Sequence, residues 1–380
     1  MQTLLEPNKK TTLVVDGNWL LISRFSVMKP QFSDRLPEAV LRQSTQKLTE
    51  MMFQSLSTTL RLFRGLITNV ILVADNKSWR HDIPKPDCIV DTSYKGNRSP
   101  ESGIAWDYIW PALDSFLSQA SAIGITTCKQ YGIEGDDWCW WWSRKLNSQD
   151  INVITWTSDN DIKQLIQKDA DTGAWTGWWE KSKGLYLNEK CRNTTESENI
   201  FDSFMSPITV TDSSISKFAK TVNITYYNPA EIVNEKIFIG DAGDNILPVF
   251  TYAKNGKTYK MTLKELSALI DIDTRGYSTA EWQKTLNNIY KKLLFLKKGK
   301  LKESTDITTE SEFIAHTEYN RGMVWLNEST IPQYIQEQMS QVEYRQLPPQ
   351  TVYDLTMNWK SLVSTGDNET AAALFDELFG

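Results

Sequence analysis

Short apolar runs alternate along this chain with longer stretches in which apolar residues recur every third or fourth position. Leu13-Val14-Val15, Val70-Ile71-Leu72-Val73-Ala74 and Ile151 to Thr157 are runs of the first kind, rich in β-branched residues. Such runs suit strands buried on both faces of a parallel sheet. Stretches of the second kind lie between them. Pro37 to Arg64 carries Leu41, Leu48, Met51, Met52, Leu56, Leu60 and Phe63 on one helical stripe, with Gly65 as its stop. Ser99 to Ile123 carries Trp106, Ile109, Trp110, Leu113, Phe116, Leu117 and Ala120 at helical spacing, with a break predicted at Pro111. Trp138 to Leu146 and Ile162 to Gln167 read as further helices. This alternation predicts an α/β fold with a central, mostly parallel sheet and helices on both faces.

The later half differs. Asp169 to Asn234 mixes Gly173, Gly177 and Gly184 with Trp175, Trp178 and Trp179, and predicts small β elements in a surface insertion. Lys236 to Ile239 reads as one more short strand, and the chain is mostly helical from Met261. Ser278-Thr279-Ala280-Glu281 is a capping box that opens a helix with Trp282, Leu286, Ile289, Tyr290 and Leu293 on one face. The expected division is therefore an α/β domain over 1–245, a smaller, mostly helical domain over 246–360 and a tail over 361–380.

Each apolar run ends in acids. Asp16, Asp75, Asp159 with Asp161, and Asp241 with Asp244 follow runs, and Glu134, Asp136 and Asp137 open a helix. Any one of these would be an ordinary turn or helix N-terminus. Parallel strands, however, bring their carboxyl ends to one edge, so together they predict an acidic basin. Oxygen-only donors favour Mg²⁺ or Mn²⁺ over zinc. Two such ions about 3.5–4 Å apart suit phosphodiester hydrolysis. Basic and aromatic residues interleave at Trp79-Arg80-His81-Asp82 and Tyr94-Lys95-Gly96-Asn97-Arg98, which suits a phosphate. Lys291, Lys292, Lys297, Lys298, Lys300 and Lys302 form the densest basic patch, a candidate surface for duplex backbone.

Composition narrows the chemistry. A net charge of −6 excludes a surface that is basic overall, but not a local basic patch. Cys88, Cys128, Cys139 and Cys191 form no Cys-x-x-Cys, so neither a zinc site nor a disulfide framework is indicated, and a reducing cytoplasm is expected. With only His81 and His316, a histidine-rich metal site is not expected. Met1 to Lys10 is polar, and no apolar run reaches membrane-spanning length. Most of the 15 tryptophans are expected in the core.

In order along the chain, Leu13-Val14-Val15-Asp16-Gly17, Ala74-Asp75-Asn76, Trp79-Arg80, Tyr94-Lys95-Gly96-Asn97-Arg98, Glu134-Gly135-Asp136-Asp137, Ser158-Asp159-Asn160-Asp161 and Gly240-Asp241-Ala242-Gly243-Asp244-Asn245 resemble the 5′-nuclease superfamily. This superfamily holds the flap endonucleases and the 5′-nuclease domains of bacterial DNA polymerases, and the likeness is nearest to the phage-type RNase H branch. The resemblance covers roughly residues 11–250. It implies a PIN-like 5′-nuclease core and a 5′→3′ exonuclease with flap endonuclease activity on branched DNA and RNA–DNA duplex. The implied task is removal of RNA primers from lagging-strand fragments. It also implies a tighter metal site of Asp16, Asp75, Glu134, Asp136 and Asp159, and a second of Asp161, Asp241 and Asp244 with Asp137 nearby. Two Mg²⁺ ions, replaceable by Mn²⁺, would occupy them. Lys95 and Arg98 would contact the scissile phosphate, Tyr94 would stack on a base and Arg80 would add to the nucleic-acid surface. The stretch about 95–130 takes the place of the family's helical arch.

Two segments depart from the family. Glu-Gly-Asp-Asp stands where the family has Glu-Ala-Asp-Asp, and Ile246 to Lys257 lacks the glycine pattern of a helix-hairpin-helix. Duplex binding is therefore expected on the lysine-rich helix through Lys291, Lys292, Lys297 and Lys298. The Trp-rich insertion over about 169–234 has no counterpart. The tail ends in Leu374, Phe375, Leu378 and Phe379, which suits either a sliding-clamp-binding peptide or a helix docking on its own domain. A single-stranded-DNA-binding protein is a further expected partner. The chain is expected to act as a monomer in the cytoplasm of a phage-infected bacterial host. The alternatives are a non-catalytic binder of branched nucleic acid and, ranked lower, a Mg²⁺-dependent phosphatase.

Overall fold

The computed structural model describes residues 10–63, 65–89, 93–191, 224–270, 278–302, 304 and 306–364. They fall into two units. The first holds the described residues within 1–77, 100–227 and 334–380, and the second those within 78–99 and 228–333. This differs from the expected division at residue 245, for a reason visible in the packing. Val233, Ile237 and Phe238 share an apolar core with Trp282, Leu286 and Phe313, which draws residues 228–245 into the second unit. Leu347, Leu355 and Trp359 belong instead to the core of the first.

In the first unit, β1 (Thr11–Asp16), β2 (Asn69–Val73), β3 (Thr126–Cys128) and β4 (Asn152–Trp156) are parallel neighbours in the order β3-β2-β1-β4. Their side chains point alternately to the two faces, and both faces are covered. Leu13, Val15, Val70 and Leu72 pack with residues of α1 (Gly17–Met28), α2 (Glu38–Leu62) and α3 (Trp110–Ala122). Val14 and Ile71 are equally buried, and α4 (Gly135–Asn147) packs on β1, β2 and β4. The α/β fold with a mostly parallel sheet is thus present.

The Trp-rich stretch continues this sheet. Beyond β4 come β6 (Trp175–Glu180), β7 (Gly184–Asn188) and β8 (Ile224–Tyr227), with β5 (Gln167–Lys168) antiparallel to β6. Strand β6 is parallel to β4 and antiparallel to β7. Trp175, Trp178 and Trp179 are buried there, and Trp138, Trp140, Trp142 and Trp156 are buried elsewhere in the unit.

The helix expected over Ser99 to Ile123 is shorter. Pro111 lies in the first turn of α3, where its missing N–H costs nothing, and Trp106–Tyr108 forms a separate 3₁₀ turn. Ala112, Leu113, Phe116, Leu117 and Ala120 are buried in the core, with Phe116 edge-on to Phe53 of α2 at 4.6 Å. The apolar face of the expected arch helix therefore packs on its own unit and is not open to cover a single strand.

In the second unit, Lys236 to Ile239 is not a strand. It ends the helix Ala230–Ile239, whose Val233 and Ile237 are one turn apart and buried. Gly240 stops that helix with φ +82°, and a Cβ there would lie 2.4 Å from the carbonyl of Ile246. An antiparallel hairpin, Thr251–Lys254 with Lys257–Lys260, follows. Asn255 and Gly256 turn it with φ of 51° and 71°. The capping box at Ser278 opens the helix Thr279–Leu301 as expected, and Glu310–Val324 packs beside it. Among the described residues no helix is long and apolar enough to cross a membrane.

Candidate metal centre and nucleic-acid contacts

Parallel register sets the acidic site of the first unit. Asp16 ends β1 opposite Val73 of β2, so Asp75 follows two residues past the same edge. Asp16 also caps α1, its Oδ1 accepting the Trp19 N–H at 3.0 Å. Its Oδ2 accepts the Thr157 hydroxyl at 2.8 Å, and the same hydroxyl oxygen accepts the Asp159 N–H at 3.0 Å. One threonine thus joins the ends of β1 and β4. Burial first, then the nearby Asp75 and Asp159, push the Asp16 carboxyl up to about 7.

Asp75 is held from two sides. Its N–H donates to Asn18 Oδ1 at 2.8 Å, and its Oδ1 accepts the Gly135 N–H at 2.6 Å. A Cβ on residue 135 would stand 3.0 Å from that oxygen, so the glycine of Glu-Gly-Asp-Asp gives Asp75 a close approach to the first turn of α4. Positive partial charge at that helix end favours the carboxylates gathered there. Glu134 is the N-cap of α4 and Asp137 its N3 partner in a reciprocal capping box, with the Glu134 N–H donating to Asp137 at 3.2 Å. Asp137 is 0% exposed. This carboxylate closes the helix end, which gives it a structural task instead of an open place near a second ion. Asp136, half-buried in the same turn, keeps some exposure.

The donor chemistry fits a hard divalent ion. Cys139 lies on α4 close enough to feel this set, and its thiol is pushed well above its ordinary range by burial and then by Asp16, Asp136 and Asp75. It therefore stays protonated and does not compete as a thiolate. The groups left are carboxylate oxygens of Asp16, Asp75, Asp136 and Asp159, with Asp16 carrying a proton near neutral pH that a cation would displace.

Asp159 is exposed, and its Oδ1 accepts the Asp161 N–H at 2.8 Å. Asp161 opens the short 3₁₀ helix Asp161–Leu165, which begins one residue before and ends two residues before the helix expected over Ile162 to Gln167. Neither Thr157 nor Asn18 stands out in the sequence, since a hydroxyl or amide next to an acid has many ordinary uses.

In the second unit, the Gly240–Asn245 loop and the Tyr94–Arg98 turn are bound together. Asp241 and Ile246 exchange backbone hydrogen bonds of 2.8 and 2.9 Å, which closes the loop. Asn320 holds both flanks, donating to the carbonyls of Ile237 and Leu247 at 2.9 and 2.8 Å. The backbone N–H of Lys95, a residue with φ 54°, donates to the Asp244 carbonyl at 2.9 Å. Asn97 donates to the Ala242 carbonyl and Asn245 to that of Ser93. Carboxylate oxygens of Asp241 and Asp244 come within 4.8 Å of each other. Each also carries a cation of this unit, Lys236 on Asp241 and Arg98 on Asp244. Burial works to raise the Asp241 carboxyl, but Lys236 and backbone N–H groups hold it below the usual range.

Three expected nucleic-acid contacts are corrected by burial. Tyr94 is 7% exposed, with its ring against His81 and its hydroxyl donating to Asp244 at 3.4 Å, so the ring is not open for stacking on a base. Arg80 is 3% exposed and donates to the Met323 carbonyl at 2.8 Å while covering Trp79. Lys297 is 2% exposed and pairs with Glu265 at 3.0 Å. Arg98, Lys291, Lys292 and Lys298 remain exposed, and Lys95 is half-buried. Leu374, Phe375, Leu378 and Phe379 lie outside the described residues.

Residues 11–196 match the family model of the 5′–3′ exonuclease, N-terminal resolvase-like domain. No curated protein matches the sequence. Solved structures of bacteriophage T5 proteins are similar over nearly the whole chain. The T5 5′-exonuclease with bound zinc is 12% identical, with 92% of this chain and 100% of that chain covered and a TM-score of 0.46. A T5 protein co-crystallised with metal ions is 13% identical, with 94% and 100% covered and a TM-score of 0.44. The T5 flap endonuclease in a pseudo-enzyme–product complex with DNA and metal ions is 13% identical, with 91% and 99% covered and a TM-score of 0.43.

Proposed function

We propose that this chain, whose residues 11–196 match the family model of the 5′–3′ exonuclease, N-terminal resolvase-like domain, is a divalent-metal-dependent 5′→3′ exonuclease and flap endonuclease. Its substrates are DNA and RNA–DNA duplexes with a free 5′ end or flap, and its task is removal of RNA primers. The observation that carries the reading is the gathering of Asp16, Asp75 and Asp159 at one sheet edge, where the Thr157 hydroxyl joins Asp16 to Asp159; burial first, and then Asp75 and Asp159, raise the Asp16 carboxyl to about 7. Like charges held so near one another are stabilised by a cation.

Asp16, Asp75, Asp136 and Asp159 would hold the metal, with Glu134 behind them; Asp161, Asp241 and Asp244 complete the proposed acid set. When bound, Mg²⁺ supplies a water of lowered pKa and charge stabilisation for the leaving oxygen. The protein's own groups do the rest. Thr157 and Gly135 orient Asp16 and Asp75 through hydrogen bonds of 2.8 and 2.6 Å. Lys95 and Arg98 offer cationic contacts to substrate phosphate, and Lys291, Lys292 and Lys298 offer a duplex-facing surface. A sliding clamp, reached through the tail, and a single-stranded-DNA-binding protein are proposed partners.

The substrate class is tested with 5′-labelled nicked, flapped and RNA-primed duplexes offered side by side to the full chain in Mg²⁺. Release of short 5′ products from the RNA-primed and flapped forms supports the assignment. Tight binding of all three with no product in Mg²⁺ or Mn²⁺ would move the chain to the non-catalytic class.

A further inference from the structure

We propose that strands β6, β7 and β8 buttress the acidic turn, with Trp178 and Lys163 as positioning residues for Asp159 and Asp161; the proposal rests on reading those two acids as metal-holding. Lys163 lies two residues past Asp161 on the short 3₁₀ helix Asp161–Leu165. Its ammonium sits over three rings, 4.4 Å from Trp178, 4.6 Å from Tyr186 and 5.5 Å from Tyr227. The rings come from three neighbouring strands. Trp178 of β6 is in register with Tyr186 of β7, and β8 pairs with β7 up to Asn188 and Tyr227. They also brace one another, Trp178 edge-on to Tyr186 at 5.1 Å and Tyr186 edge-on to Tyr227 at 6.1 Å.

The same indole reaches the turn by a second route. Trp178 Nε1 donates to the Asp159 carbonyl at 2.9 Å. Trp178 is fully buried in a strand parallel to β4, in register with Thr155, so its donor is fixed to the strand that delivers Asp159. Ile162 and Leu165 are buried beneath the turn. One ring thus grips the turn at Asp159 through its edge and at Lys163 through its face, with Asp161 between the two grips. The Asp161 N–H bond to Asp159 Oδ1, at 2.8 Å, sets the turn between them.

The ammonium of Lys163 is directed at the rings, so the lysine holds the turn through aromatic faces on β6, β7 and β8. Trp178 is buried while Lys163, Tyr186 and Tyr227 are half-buried, so solvent screens the attraction between cation and rings only in part. This gives β6, β7 and β8 a task at the site and accounts for aromatic residues at these three positions.

The test uses the full chain as Lys163→Met, Lys163→Arg and Trp178→Phe, with Leu187→Ala as a core control on the same sheet. Hydrogen exchange in EDTA reads the turn itself. Peptides covering residues 157–166 should exchange faster in Lys163→Met and Trp178→Phe, return towards native protection in Lys163→Arg, and in Leu187→Ala change no more than the rest of the sheet. Mn²⁺ binding, followed by loss of the free-ion EPR signal without substrate, should weaken about tenfold in Lys163→Met and several-fold in Trp178→Phe. Native protection of 157–166 in both variants overturns the buttress, whatever the metal does. Equal Mn²⁺ affinity in native chain and variants, with the turn loosened, also overturns the proposed role at the site. A native chain that binds no Mn²⁺ overturns the metal reading, and the positioning role with it, while the exchange result still separates the two failures.

Discussion

The Thr157 hydroxyl donates to Asp16 Oδ2 at 2.8 Å and its oxygen accepts the Asp159 N–H at 3.0 Å. The side chain therefore fixes two carboxylate-bearing strand ends to each other. Thr157→Val keeps the shape and removes both bonds. Leaving a buried polar group without its partner costs roughly 1–3 kcal/mol. The substitution should lower stability in EDTA by an amount of that order. The lost donor also raises the Asp16 carboxyl further, so the pH midpoint of Mg²⁺ binding should move upward. A calorimetric Mg²⁺ titration from pH 6 to pH 9 checks this, and an unmoved midpoint would contradict it.

Asp16 makes stability depend on pH in a direction opposite to most acids. Its folded pKa of about 7 lies above the ordinary 3.8. Between those values the folded chain binds more protons than the unfolded one, so in EDTA stability falls as pH rises from about 4 to about 7. His316 works the other way. Burial lowers it to about 4, so its contribution is present above about 6.5 and is lost as pH falls towards 4. The two slopes oppose each other, and only a difference between variants isolates one. Denaturation in EDTA should show native protein losing, relative to Asp16→Asn, on the order of a few kcal/mol between pH 5 and pH 8. A difference that does not change with pH would remove the basis of the acidic basin.

Lysines on the helix Thr279–Leu301 should separate into two classes. Lys297 is buried against Glu265 and over the Tyr252 ring at 5.0 Å. Lys297→Met should destabilise the second unit and leave the salt dependence of duplex binding unchanged. Lys291→Gln with Lys292→Gln should leave stability within about 0.5 kcal/mol. Each lost phosphate contact should reduce the slope of log affinity against log salt by about one. Binding isotherms over a salt series, with thermal melts, distinguish the classes. Equal salt slopes in native and Lys291/Lys292 variants would place duplex elsewhere.

Arg98 is exposed and paired with Asp244, and such surface pairs contribute about 0–1 kcal/mol. Arg98→Gln should therefore melt close to native protein. If Arg98 binds the substrate phosphate, cleavage should fall by about 10²-fold or more, with Mg²⁺ affinity at Asp16 and Asp75 unaltered. A fall in cleavage matched by a fall in melting temperature would make the pair structural.

Much of the first unit is legible in the sequence because strands buried on both faces are uniformly apolar and end abruptly in acids. Asn69–Val73 and Asn152–Trp156 show this, and Asp16, Asp75 and Asp159 follow from it. Lys236 to Ile239 misleads because four apolar residues read alike at the end of a buried helix and in a short strand, and only Gly240 with φ +82° distinguishes them. The hairpin at Thr251 to Lys260 was signalled by Asn255-Gly256, a turn pair whose meaning depends on flanking strands too short to stand out. Burial of charge is the least legible property. Nothing local separates Lys297 from Lys298 or marks Arg80 as enclosed, because both depend on partners far away in sequence, Glu265 and Met323. Residue 228 divides the chain for the same reason, through contacts made far along the sequence, such as those of Phe238 with Trp282 and Phe313.

The most direct measurement is cleavage of a 5′-labelled flapped duplex by native chain and Asp16→Asn, each in Mg²⁺, Mn²⁺ and EDTA. Substrate binding in Ca²⁺ is followed in parallel. The account predicts short 5′ products from native chain in Mg²⁺ and Mn²⁺, none in EDTA, and a loss of at least about 10³-fold in Asp16→Asn with binding retained. Native cleavage that persists in EDTA, or an Asp16→Asn variant as active as native, would contradict it.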